Sequence, residues 1–160
     1  MALIRSITNF YEGIITVGNF LQHLFLLAIR LYWGWAFHLA GCQKFEDIEK
    51  VAGFFGSMGI PFPELNAYFV ATLECVGGWC LIFGFASRLI SLPLAITMAV
   101  ALITAHAAGA SEILNNPPKF LVELPVSYLL TSLTVFVFGP GWISIDFLIE
   151  KLIIKKSKSR

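Results

Sequence analysis

The chain has 160 residues, 58% hydrophobic and 13% charged, with a formal net charge of +1, and its mean hydropathy is +0.80. That composition excludes an ordinary soluble domain and predicts a single polytopic membrane domain, all-α, built as a four-transmembrane-helix bundle with short amphipathic interfacial helices. No basic surface interleaved with aromatic residues is present, so nucleic acid is not an expected partner. Membrane lipids are, and a homo-oligomer is a further candidate.

Residues 1–19 form the N-terminal amphipathic segment. Leu3, Ile4, Ile7, Phe10, Tyr11, Ile14 and Ile15 share one helical face, with Arg5, Ser6, Asn9, Glu12 and Thr16 elsewhere, which predicts a helix lying in the membrane interface. The apolar core and small-residue cleavage site of a signal peptide are missing. The first span, about 20–40, carries Arg30 near mid-depth. An arginine at a helix centre costs roughly 2.5 to 3.5 kcal/mol to insert, so it normally faces a bundle interior and finds a partner; the alternative is a shallower arginine snorkelling to the headgroups. Helical steps from Arg30 reach Gly34, then Phe37 and His38, then Gly41, a face small enough to sit close against another helix.

After the first span, FEDIEKVAGFFGSMGIPFPE places Glu46 and Asp47 ahead of Ile48, Val51, Ala52 and Phe55, then Gly56, Gly59, Pro61 and Pro63. Acid first with glycine and proline last predicts a short capped helix. It is either a lid across the outer mouth of the bundle or an ordinary interfacial loop helix. The second span, about 66–86, aligns Ala71, Glu74, Gly77 and Gly78 on one face. This face is expected to press against Gly34 and Gly41, making Glu74 the first candidate partner of Arg30; a neutral, hydrogen-bonded Glu74 is the other reading.

The third span, about 88–107, contains Pro93, which removes a helical hydrogen bond and predicts an early bend, and ends at His106, expected at the level of His38. Asn115, Asn116, Pro117 and Pro118 make a turn. The fourth span, about 119–138, opens with Glu123 and continues a polar stripe through Ser127, Thr131 and Thr134. The turn at Gly139, Pro140 and Gly141 stops it, and residues 145–160 form an amphipathic helix with a basic tail suited to anionic lipid.

Arg5, Arg88, Lys151, Lys155, Lys156, Lys158 and Arg160 fall on the side of the termini, against Lys44, Lys50 and Lys119 opposite. This bias puts both termini in the cytoplasm. The three cysteines Cys42, Cys75 and Cys80 lack Cys-x-x-Cys spacing, so no disulfide framework is expected. Cys75 and Cys80 read as small apolar packing, whereas Cys42 could meet an oxidant or a partner thiol.

The candidate ligand site is therefore a buried polar cluster of Arg30, Glu74, Glu123, His38 and His106, with Gly34, Gly41, Gly77 and Gly78 as helix-packing residues. Arg30, Glu74 and Glu123 alone sum to minus one, which asks for a proton or a bound cation in balance. No catalytic residue and no metal site is expected; a metal would have at most His38, His106, Cys42 and a glutamate.

Several segments together resemble the DoxX family of small four-span membrane proteins: the first-span arginine followed by AGCQKF, the FFGSMGIPFPE loop, the Glu74 span with Gly77 and Gly78, the GFASRL turn and the closing GPGWISID. They run from about Arg30 to Asp146, leaving the N-terminal segment outside. The resemblance implies kinship with a small subunit of a terminal quinol oxidase and with proteins found beside thiosulfate:quinone oxidoreductase. The sequence excludes a self-sufficient oxidase: it has no Cys-x-x-Cys-His haem attachment motif, no dinucleotide fingerprint and too few histidines for copper and haem sites. The expected function is an accessory subunit of a redox or quinone-linked membrane complex, with partner redox subunits and quinone as the candidate cofactor. Alternatives are a proton-linked carrier of a small solute or lipid, and a structural membrane scaffold.

Overall fold

The structure, a computed structural model, describes residues 2–157 apart from 112 and 114. The side chains of Leu3, Ile4 and Ser6 and the basic tail from Lys155 lie outside the described side chains, so the roles read for them stand as expectations only.

The described residues form helices and no strand. The first, α1, runs unbroken from Ala2–Glu46, 45 residues, or about 68 Å at 1.5 Å per residue. The expected boundary between an interfacial helix and a first span is therefore absent, and one helix replaces the two. Nothing in the segment can break it: it has no proline, and isolated Gly13 and Gly18 cost only about 1 kcal/mol each in a helix. Its first half projects beyond the bundle, with Phe10, Ile14, Val17 and Phe20 exposed.

The short helix α2, Ile48–Ser57, starts where the acidic residues predict, Asp47 accepting from the Lys50 backbone N–H at 3.2 Å. Helix α3, Pro63–Phe83, begins with proline at its first turn and ends at Gly84, whose φ of 67° supplies the left-handed residue that closes the helix. Helix α4, Ser87–Ile103, passes through Pro93. It is followed by a single turn, α5 (Ala107–Ala110), and by α6, Pro117–Val122.

The chain then breaks at Glu123, which is extended at ψ 122°, before α7, Leu124–Phe138. The predicted fourth span is thus two helices. Pro125 has no N–H for the Leu121 carbonyl, and its ring would clash with that group, so a continuous helix is blocked there. After the glycine turn comes α8, Ile145–Ser157.

Helix α1 packs on α3, α3 on α4, α4 on α7 and α7 back on α1, closing a ring, while α2 lies on α3. Phe37, Leu73, Leu81, Leu94, Met98 and Val135 form the core, with Ile90, Tyr128 and Leu129 against it. Outside that core the bundle exposes many large apolar side chains, among them Phe69, Val76, Phe83 and Ile96. Such an outer surface suits lipid rather than water. Among the described residues two helices, α1 and α3, are long and apolar enough to cross a membrane; α4 and α7 are apolar but shorter, at 17 and 15 residues.

Candidate functional site

The site grows from the contact between α1 and α3. A Cβ added to Gly34 would stand 2.9 Å from the Gly78 carbonyl, and one on Gly41 would stand 2.7 Å from the Ala71 carbonyl and 2.8 Å from Cys75 Cα. At Gly78 it would meet His38 Cα at 2.9 Å. The two backbones therefore touch along this seam because these positions carry no side chain. Gly77 faces the other way, toward Leu94 and Ile90 of α4, so it does not press on Gly34 or Gly41.

The close approach carries Lys44, one further step along the Gly34, Gly41 face, onto α3. Its ammonium donates to the Glu74 carboxylate, whose side chain is 3% exposed against 28% for Lys44. The expected pairing of Glu74 with Arg30 is overturned. Arg30 lies 14 positions earlier on the same helix, roughly 21 Å away along the axis.

Arg30 is itself fully buried, but its partners are backbone carbonyls. Nε donates to Leu81 O at 2.9 Å, Nη2 to Ile82 O at 3.2 Å and Ile143 O at 3.0 Å, and Nη1 to Pro140 O. Leu81 and Ile82 sit in the last turn of α3, where carbonyls have acceptor capacity to spare even with the Gly84 N–H donating to Leu81 O at 3.2 Å, and where the helix dipole favours a cation. Asp146 completes this end: its carboxylate accepts from the backbone N–H groups of Ala86 at 2.7 Å and Ser87 at 2.8 Å, capping α4, while its own N–H donates to Gly84 O at 2.9 Å. Arg30 thus ties α1, the end of α3 and the Gly139 to Ile143 loop together, and its guanidinium is occupied by protein.

The remaining candidates separate as well. His106 Nδ1 is 2.6 Å from Glu123 Oε2; a carboxylate only accepts, so Nδ1 carries the proton of that bond. The break at Glu123 lets its side chain reach back to Gly109 and His106, where any Cβ on Gly109 would collide with the carboxylate. His38 belongs to the α1–α3 seam instead, with Nδ1 3.2 Å from Cys75 O. The single polar cluster expected from the sequence is therefore four distinct groups: Arg30 with carbonyls, Glu74 with Lys44, Glu123 with His106, and His38 with Cys42 and Cys75.

Two of these groups meet at a cleft of about 730 Å³ beneath α2. Lys44 and Glu74 line it, as do His106, Tyr128 and Thr97, and the rest of the wall is largely apolar, including Phe54, Phe55 and Met58 of α2 and Ile96 and Met98 of α4. Arg30, His38 and Glu123 are not part of its wall. Sequence reasoning missed Lys44, counted as an ordinary loop charge, although its helical spacing from Gly34 and Gly41 was a usable signal. It also missed Asp146, whose partners are backbone groups, and His23, which stacks on Trp142 with ring centroids 3.8 Å apart.

The described residues form an apolar helical bundle with two helices long and apolar enough to cross a membrane and charges held inside. The chain belongs to the DoxX family, whose profile matches residues 25–107. Among its relatives, the Bacillus subtilis (strain 168) protein named "Putative oxidoreductase CatD" is 32% identical over 120 residues, covering 75% of this chain and 83% of the relative. An uncharacterized protein of Haemophilus influenzae is 29% identical over 136 residues, 82% of this chain and 87% of the other. No solved structure matches the chain.

Proposed function

We propose that the protein crosses the bacterial inner membrane four times, with both termini in the cytoplasm, and serves as an accessory subunit of a redox complex that holds a quinone in the cleft beneath α2. The observation that carries this reading is the cleft itself: about 730 Å³ of mainly apolar wall with a cation, a carboxylate and an imidazole among its lining residues. A quinone headgroup offers two carbonyl acceptors and an apolar tail. Lys44 is a donor for one carbonyl, the Tyr128 hydroxyl for the other, and Phe54, Phe55, Met58 and Ile96 supply apolar surface for the tail. Reduction of a quinone to a quinol takes up two protons and two electrons; the Lys44–Glu74 and His106–Glu123 pairs are proton carriers beside that position, and the electrons come from a partner redox subunit. The name of the Bacillus relative supports the redox class.

The test is extraction of quinone from detergent-purified protein, followed by titration of the stripped protein with a short-chain quinone. Micromolar binding that weakens about tenfold or more in Lys44→Met, as loss of a charged hydrogen bond implies, supports the reading. Absence of both co-purified quinone and micromolar binding overturns it.

A further inference from the structure

We propose that His38, Cys42 and Cys75 form a binding site for a single thiophilic metal ion, Zn(II) in the first instance, on the α1–α3 seam and apart from the cleft. The three residues offer one ligand atom each, and these atoms lie within 4.8 Å of one another. Cys42 Sγ and Cys75 Sγ are 3.5 Å apart, and His38 Nε2 is 3.7 Å from Cys42 Sγ.

The spacing is that of a coordination shell. A tetrahedral ion with bonds of about 2.3 Å to sulfur and about 2.0 to 2.1 Å to nitrogen sets sulfurs about 3.8 Å apart, and sulfur from nitrogen about 3.6 Å. The separations of Cys42 Sγ from Cys75 Sγ and from His38 Nε2 are within about 0.3 Å of these values, and Cys75 Sγ lies 3.4 Å from Nδ1 of the same ring.

The imidazole is already oriented. Its Nδ1 lies 3.2 Å from Cys75 O and 3.4 Å from Cys75 Sγ; with Nδ1–H donating to the carbonyl, the lone pair is on Nε2. His38 and Cys42 are one helical turn apart on α1, which puts them on one face. Cys75 reaches them because Gly41 and Gly78 let the backbones touch. Trp35 and Trp79 flank the imidazole, with ring centroids at 5.5 Å and 5.0 Å. Two thiolates and a neutral imidazole cancel the charge of a divalent ion, which an apolar seam requires, and a monovalent Cu(I) would leave a net negative site. Three protein ligands leave a fourth position for water or another donor.

The full chain, purified in detergent under reducing conditions and stripped with a chelator, is titrated with Zn(II) while maleimide labelling of each cysteine is followed by mass spectrometry. One Zn(II) per chain that protects Cys42 and Cys75 but not Cys80 is the expected result. Cys75→Ser and His38→Gln should each weaken binding by about tenfold or more, with Cys80→Ser unchanged as the control. Labelling of Cys42 and Cys75 that ignores Zn(II) in the native protein overturns the site, as does equal protection of Cys42 in Cys75→Ser. The native-protein comparison holds even where a variant fails to fold. Cu(I) bound with Zn(II) excluded overturns the charge argument.

Discussion

Lys44 and Glu74 form an ion pair between α1 and α3 in which the carboxylate is buried and the ammonium is only partly exposed. The pair sits on the wall of the cleft, so it couples the stability of the bundle to whatever the cleft holds.

Removing one member of such a pair costs more than removing both. Lys44→Met strands a buried carboxylate, a loss of about 3 kcal/mol, while the double variant Lys44→Met with Glu74→Leu should recover most of it. Thermal unfolding of the four members of this double-mutant cycle in detergent measures the coupling. Additive losses would show that the contact carries no energy.

Arg30 should behave as a structural clamp. Arg30→Met removes the donor shared by the carbonyls of Leu81, Ile82, Pro140 and Ile143, of which Leu81 O keeps the Gly84 N–H, and at about 1 to 3 kcal/mol for each buried acceptor left unsatisfied the bundle should lose about 3 kcal/mol. Arg30→Lys should rescue only part, because one ammonium cannot match the forked geometry that reaches Leu81, Ile82, Pro140 and Ile143 together. The yield of folded protein and its thermal midpoint report both.

The turn between α3 and α4 supplies a paired prediction. Asp146→Ala removes the acceptor for two N–H groups at the start of α4 and should cost about 1 to 2 kcal/mol. Ala86 holds a φ of 47° in the left-handed region, so Ala86→Gly should stabilise the protein by about 1 kcal/mol. The two variants should shift the thermal midpoint in opposite directions.

Glycines in the same helix should respond oppositely. Gly41→Ala drives a methyl group into the backbone of α3 and should destabilise by about 1 to 3 kcal/mol or more. Gly18 has open space around it, so Gly18→Ala should leave packing intact and add about 1 kcal/mol of helix propensity. Thermal unfolding of the two side by side checks the α1–α3 seam directly.

The sequence exposed what depends on local pattern. Helix α2 follows from Asp47 and the glycines after it, and the small face of α1 follows from the spacing of Gly34, His38 and Gly41. Burial of Arg30 was legible because a charge in an apolar run must be satisfied. Its partners were not, since a carbonyl belongs to every residue and only the fold decides that those of Leu81, Ile82, Pro140 and Ile143 converge. Glu74, the nearest carboxylate that the pattern offers Arg30, is matched by Lys44. The break at Glu123 was readable from Pro125. The meeting of Cys42 with Cys75 was not, because it depends on the register between two helices.

A quinone held against Lys44 in the cleft beneath α2 is the proposal on which the rest turns. A photoreactive quinone analogue, crosslinked to the native protein in lipid and mapped by peptide mass spectrometry, tests it most directly. Labels on Phe54, Phe55, Met58 or Tyr128, competed by unlabelled quinone and lost in Lys44→Met, are the predicted outcome. Labelling spread over the lipid-facing surface, uncompeted and unchanged by Lys44→Met, would rule out a quinone site in the cleft.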